Sequence, residues 1–389
     1  MTCDEIAFST CWTAWLTELA LPCWSMLDFN HAHGIYHERL SFEGMPVAVP
    51  ELRLMVQARQ IATFCRASMD GTYEASAAAL MCLDRIEKLY HRADGAPGWV
   101  FSITPDLAVK DGKRDLYAHA FILYAYAWAY KVMPSTRYLN IVRATIAEMH
   151  QIFSAPHGGF FNVNSPLSER LYQNPHMHLL EAFLALYEVS GLECFLEEAD
   201  ALITLSLERM IQSETGVLLE EFDRKWERIA PIGKNRVEPG HLFEWFWLFS
   251  EYSRLNSGSK RHITIKQASD RLFDLGLACG VSNGFVRDAI HDDGTQSENS
   301  IRIWPQTELC RVLLQRRTEP DLLNRVSRNF FACFAPNHLQ GLWIDRFSEA
   351  GQPRVNDVPA SSLYHIYGAA REFHVAKITG VSEMDVLLI

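Results

Sequence analysis

Twelve segments with a helical period constrain this chain more than any other feature, because the links between them alternate short and long. Apolar residues recur three and four apart within each segment. The segments fall at roughly 5–20, 51–67, 72–92, 115–133, 135–155, 174–190, 192–214, 236–256, 260–280, 298–316, 320–337 and 357–379. Long period-2 runs are missing and β-branched clusters are few. Short links such as Met133-Pro134-Ser135 and Ser190-Gly191 read as tight helical hairpins. Long links carry Gly, Pro, Asn and aromatic residues, as in Ala155-Pro156-His157-Gly158-Gly159-Phe160-Phe161-Asn162. Six hairpins of roughly sixty residues are more than a simple bundle holds. Their natural closure is a toroid, an all-α (α/α)6 barrel with six inner and six outer helices. No break in composition divides the chain, which predicts one domain over residues 1–389.

Every second helix start supports that closure. The starts near 51, 115, 174, 236, 298 and 357 hold nearly all the unusual polar and aromatic sequence. They read Glu51-Leu52-Arg53, Asp115-Leu116-Tyr117, Asn174 to His178, Glu238 to Glu244, Arg302 to Glu308, and Ser361-Ser362-Leu363-Tyr364-His365. The intervening helices are apolar on one face and charged on the other. If alternate helices form the inner ring, their N-termini converge on one pocket. Each such terminus offers free N–H groups and the positive end of a helix dipole.

Charge narrows what the pocket can take. Lys plus Arg number 36 against 47 Asp plus Glu, a net charge of −11. A nucleic-acid partner needs a basic face, so none is expected. No stretch approaches twenty uninterrupted apolar residues, so no membrane span is expected. The opening Met1-Thr2-Cys3-Asp4-Glu5 lacks the basic region of a signal peptide. Nine dispersed cysteines without a paired CxxC spacing fit a reducing, cytoplasmic setting. Composition leaves a monomer and a homo-oligomer equally open.

Histidines at the special helix starts carry the chemistry. His241 and Glu244 lie three apart and share a helix face, so Glu244 can orient His241. A capped helix start with a satisfied, buried histidine is the bland alternative. His176 and His178 diverge by roughly 200° on a helix, so only one of them faces a pocket. Metal pairs on helices use i, i+4 spacing, which this motif lacks, and no metal is expected. His31, His33 and His37 form another cluster, but in a polar turn without acidic or cysteine partners. His365 opens the last helix, and His374 lies on its opposite side. Arg53 stands on an otherwise apolar helix start, where a surface salt bridge is the bland reading and Arg59 has a structural one. Tyr117, Trp245 and Trp304 can stack on a sugar or belong to the core. Glu244, Glu308 and Asp115 would suit a glycosidase, but hydrolysis has little use for histidines on three inner helices. Proton abstraction beside a carbonyl uses them. GxSxG, P-loop and GxGxxG patterns are absent, so no cofactor is expected.

Ordered along the chain, these segments resemble the N-acylglucosamine 2-epimerase superfamily. The resemblance runs from Gly34-Ile35-Tyr36-His37-Glu38-Arg39-Leu40 through Arg53 to Gln60, Asp115 to Phe121, Asn174 to Ala182 and Glu238 to Trp245. It ends with Trp304-Pro305-Gln306-Thr307-Glu308 and Tyr364-His365-Ile366. It implies an (α/α)6 barrel. The segments Asn174 to Glu181 and His241 to Trp245 look closer to aldose–ketose isomerases acting on mannose and sulfoquinovose. By that resemblance the pocket holds Arg53, Tyr117, Asn174, His178, Glu244, Trp304 and Glu308, with His241 and His365 catalytic. It implies a monosaccharide substrate, and a 2-epimerase using the same histidines is the alternative activity. Ser361 and Ser362 stand where an anion-binding residue would sit, which favours an uncharged hexose. His365 would carry the proton between C2 and C1, and His241 would serve ring opening and the hydroxyl protons. Arg53 would stabilise the enediolate oxygen. An unperturbed histidine base predicts loss of activity below about pH 6 to 6.5.

Overall fold

The structure, a computed structural model, describes residues 10–164 and 170–379. Among the described residues, long helices alternate between an inner and an outer ring. Helix α1 covers residues 10–27, with a π-turn over Trp15–Ala20. The others are α2 (Leu54–Met69), α3 (Ser76–Tyr90), α4 (Leu116–Val132), α5 (Thr136–Phe153) and α6 (Gln173–Ser190). They continue with α7 (Glu193–Leu205), α8 (Pro239–Leu255), α9 (His262–Gly280), α10 (Ile303–Arg316), α11 (Pro320–Asn329) and α12 (Leu363–Thr379). The even-numbered helices form the inner ring. Each packs on the next, and α12 packs back on α2, so the ring is closed. The fold is an (α/α)6 barrel.

Sequence decides which ring a helix joins. In α5 the buried residues are Tyr138, Val142, Thr145, Glu148, Met149 and Phe153, a stripe at three- and four-residue spacing. Such a stripe buries one face and leaves the other in water. In α4 every residue from Ala118 to Ala129 is buried. A helix that is apolar all round must be covered all round. Alanines at 118, 120, 125, 127 and 129 let α2 and α6 approach it from both sides.

Short strands lace the mouth of the barrel. Leu52–Arg53 pairs with Ser102–Ile103, Asp115 bridges to Val163, and Leu171–Tyr172 pairs with Glu221–Phe222. Val237 then pairs with Ile290, Ile301–Arg302 with Arg346–Phe347, and Val358–Pro359 with Arg39–Leu40. Each link therefore holds the next, and the last holds the first. These strands also explain why four inner helices begin later than the sequence predicts. Residues 51–53, 236–238, 298–302 and 357–362 feed the helices as strand, turn or 3-10 backbone. Paired segments of two or three residues are too short for a period-2 pattern to register.

The first helix departs from expectation in the other direction. Its end is predicted near residue 20, but it runs on through Pro22 to Leu27. The Leu21 N–H bonds to the Leu16 carbonyl, an i→i−5 step. The shifted ladder absorbs the proline, whose missing N–H would otherwise break the helix. Residues 5–9 of that prediction lie outside the described residues.

Candidate active site

The strand that feeds an inner helix ends at or beside its N-cap: Arg53, Asp115, Tyr172, Glu238 and Arg302. For the last helix, the cap is Pro359, ahead of a 3-10 turn that runs into α12. Equal offsets from equivalent caps give equal depth and facing, because rise and rotation per residue are fixed. The sixth residue after each cap is Arg59, Phe121, His178, Glu244, Glu308 and His365. All six are buried, and they form one ring around the barrel axis. The second residues after the caps sit nearer the mouth. Met55, Tyr117, Asn174, Trp304 and Ser361 among them are partly exposed, so solvent reaches this tier.

The fourth residues do structural work. Gln57 bonds the backbone N–H and carbonyl of Tyr36, and Gln306 does the same for Val286. His119 Nε2 accepts from the Trp99 N–H, and His176 Nε2 accepts from the Phe160 N–H. Burial holds both rings neutral, each pushed down to about 4. His176 is thus a staple between its helix and the preceding link, whereas His178 faces the pocket. His31 and His33 stay exposed on their turn, away from the ring.

Three histidines line the pocket, each with a carboxylate beside Nδ1. His365 Nδ1 lies 2.8 Å from Glu308 Oε1, and Glu308 Oε2 accepts from Arg311 at 2.7 Å. His178 Nδ1 lies 3.3 Å from Glu181 Oε2, which also accepts from the Tyr364 hydroxyl. His241 Nδ1 lies 2.9 Å from Glu220 Oε1. A carboxylate on Nδ1 fixes the tautomer and leaves Nε2 for chemistry. Trp304 bridges the outer two histidines, its ring 4.8 Å from His241 and 5.5 Å from His365. Gly240 makes room for that indole: a Cβ there would stand 2.6 Å from its edge. Gly240→Ala should therefore displace Trp304 and raise KM more than it lowers stability, at about 1–3 kcal/mol of overpacking. Substrate titrations beside thermal melts would check this; unchanged KM would refute it.

The geometry departs from the expected placing of Glu244 and Arg53 and adds partners to Glu308. Glu244 does not orient His241. It comes no nearer a histidine than 3.9 Å, to His178. The reason is position: Glu244 is the sixth residue after its cap and His241 the third, so Nδ1 meets Glu220 from the neighbouring link instead. Glu308, expected among the sugar ligands, also holds His365 through Oε1 and Arg311 through Oε2. Arg53 stays on the rim, its guanidinium paired with Glu38 at 2.8 and 3.0 Å. The inward arginine is Arg59, whose expected role was structural. Its guanidinium donates to the Tyr117 hydroxyl at 2.5 Å and the Ser361 carbonyl at 3.1 Å. It lies 4.2 Å above the Phe121 ring.

Burial and charge push the histidines apart. His365 lies well below its ordinary range, first through burial, then through the Arg59 charge. His178 is pushed down to about 4, again mainly by burial. His241 is raised. Burial opposes its charged form, but the Glu220 carboxylate and then Glu238 outweigh that. Glu244 is raised well above the carboxylate range by burial and by the charges of Glu308 and Glu181, which favours its neutral form. Arg59 Nε, Glu244 Oε2 and Asn174 Oδ1 are buried with no hydrogen-bond partner among the described residues. Unpaired buried polar atoms are costly, and a polyhydroxylated ligand would satisfy them. Among the described residues, three groups lie close enough to gather around a cation: His178, Glu181 and Glu244; Glu220, Glu238 and His241; and Glu244, Glu308 and His365.

This arrangement can hold a small polar molecule between a histidine pushed toward its neutral form, one pushed toward its charged form and an arginine. Residues 34–369 match the N-acylglucosamine 2-epimerase (GlcNAc 2-epimerase) family, and the chain belongs to that family of sugar epimerases and isomerases. A Rhizobium meliloti (strain 1021) protein named mannose-6-phosphate isomerase is 32% identical over 382 residues, covering 92% of this chain and 94% of its own length. The crystal structure of D-mannose isomerase matches with a TM-score of 0.83 at 17% identity, covering 98% of this chain and all of that one. Cellobiose 2-epimerase from Bacillus thermoamylovorans B4167 matches with a TM-score of 0.82 at 17% identity, over 95% and 99%. No helix among the described residues is long and apolar enough to cross a membrane.

Proposed function

We propose that the chain is an aldose–ketose isomerase acting on an unphosphorylated hexose of the mannose–fructose type. One observation carries the reading. Two histidines flank one indole, and their surroundings push their titrations in opposite directions, His365 down and His241 up. Such divergence assigns the base and the acid. Neutral His365 takes the C2 proton of the opened aldose and returns it to C1. Electrons from the C2–H bond form the C1–C2 double bond, and the aldehyde oxygen becomes an enediolate. Arg59 stabilises that oxygen. His241 donates a proton to O1 and accepts the O2 proton as the ketone forms. It also assists ring opening. Glu244, as a neutral acid, donates to a sugar oxygen, and Trp304 packs on the sugar face.

Charge at the mouth supports the uncharged sugar. Arg53 is paired with Glu38, and Arg302 with Glu238 and Asp288. Arg236 is paired with Glu298 and Glu238, and Arg346 with Asp288. These arginines are matched, so a phosphate would compete with a carboxylate for each. The Ser362 hydroxyl is likewise engaged, by Asp345. Incubation with mannose in deuterated water, followed by NMR, tests the reading. Fructose is expected, with deuterium at C1 in those turnovers where His365 exchanges its proton with solvent before returning it, and mannose 6-phosphate should turn over at least tenfold more slowly. A 2-epimeric aldose as sole product would make the enzyme an epimerase. Faster turnover of the phosphate would overturn the neutral substrate.

The pH profile follows from the two shifts. His365 acts neutral, so activity is lost only as pH falls through its depressed pKa. His241 acts protonated, so activity is lost as pH rises through its raised pKa. The plateau should therefore extend to both sides of about pH 6.5. This replaces the acid loss near pH 6 that an unperturbed base predicts. Rates of kcat between pH 4.5 and 9 check it; loss of most activity by pH 6 would show that the shifts do not govern turnover.

A further inference from the structure

We infer that Glu220 is a positioning residue that fixes His241 with Nε2 toward the sugar. The inference rests on the isomerase reading for its meaning, but its geometry stands apart from any substrate. Glu220 precedes the strand Glu221–Phe222, 21 residues before His241. Its carboxylate is buried and meets three donors. These are His241 Nδ1 at 2.9 and 3.0 Å, the Glu238 N–H at 3.1 Å and Gln173 Nε2 at 2.9 Å. Gln173 is itself held, its Oε1 accepting from Trp245 Nε1 at 2.7 Å. Backbone bonds anchor the same point, from the Gln173 N–H to the Glu220 carbonyl and from the Glu220 N–H to the Arg236 carbonyl, each 3.2 Å. The first residue of α6, the cap of α8 and the link between them thus meet on one carboxylate.

A carboxylate so fixed cannot follow a rotating imidazole, so it holds the ring. With Nδ1–H donated to Glu220, Nε2 is the nitrogen that exchanges protons with O1 and O2. The other charges facing His241 are Glu238 from its own cap and Arg302 from α10. His178 from α6 and Glu308 from α10 also sense it. Glu238 shares its charge with Arg236 and Arg302, at 3.1 and 2.7 Å. Glu220 is the carboxylate in direct contact with the ring, and removing its charge removes the main support of the imidazolium. Outer partners of this kind typically contribute about 10- to 100-fold.

The test uses the full chain. In ligand-free protein, nitrogen NMR of the imidazoles follows the His241 titration in wild type and in Glu220→Gln. Expected is a fall of about one pH unit or more in the variant, with retained melting behaviour. With mannose, kcat should drop about 10- to 100-fold and the alkaline limb should move down with the His241 titration. KM should change little, because Glu220 lies behind the histidine. Glu220→Asp keeps the charge and should recover part of the alkaline limb. If Glu220→Gln unfolds, Trp245→Phe removes only the donor that holds Gln173 and should shift the limb less, in the same direction. An unmoved His241 titration and alkaline limb in folded Glu220→Gln or in Trp245→Phe would overturn the inference. Failure of the wild type to turn over any aldose would instead overturn the isomerase reading, while the titration still decides the role of Glu220.

Discussion

Replacing His365 by Asn should lower turnover by about 10²- to 10⁴-fold, the range for a lost general base. Exchange of the C2 proton should vanish with it. The fold should persist, because the Asn amide can still donate to Glu308 and Arg311 keeps the carboxylate paired. Deuterium incorporation at C2 and a thermal melt separate the two effects. His241→Asn should also impair turnover of the closed sugar, yet keep relatively more activity on an acyclic ketose. His374→Asn lies on the far face of α12 and should change little. Near-normal C2 exchange in His365→Asn would move the base to His241.

Arg59→Lys should cost about 10²- to 10³-fold in kcat, as for loss of one donor to a developing oxyanion. A guanidinium spans the Tyr117 hydroxyl and the Ser361 carbonyl together while lying flat over Phe121. An ammonium cannot hold that fork, and it loses the planar stacking. Arg53→Lys is the informative comparison. It keeps a charge opposite Glu38 on the rim and should retain turnover within a few-fold. A larger loss from Arg53→Lys than from Arg59→Lys would return the enediolate to the rim arginine.

Arg59 also shows how far the sequence could be read. Helix count and hairpin spacing were legible because the apolar stripes of outer helices and the all-round burial of helices such as α4 leave strong periodic marks. The residues around His178, Glu244, Glu308 and His365 were legible because helix starts with such polar and aromatic density are unusual. Depth along the barrel was not. Choosing Arg59 over Arg53 requires knowing that Arg53 is a cap, and the cap is set by two residues of strand pairing with Ser102–Ile103. Glu220 was invisible for a related reason. It reaches His241 across 21 residues and through a strand pairing that no local pattern records. His176 shows the converse, a histidine at a conspicuous position whose two nitrogens are spent on backbone.

The common offset from cap to ring fixes where this barrel can accept inserted or deleted residues. One extra residue between Glu238 and Glu244 would turn the glutamate away from the axis by about 100° and sink it by about 1.5 Å. The other five members of the ring would keep their places, since each belongs to a different helix. An insertion before the paired strands would leave every offset unchanged and would only lengthen a loop at the mouth, where added length is tolerated. Length variation among related chains should therefore concentrate upstream of the caps and fall to nothing over the next two turns, which gives substrate range a route to change without moving the proton-transfer groups.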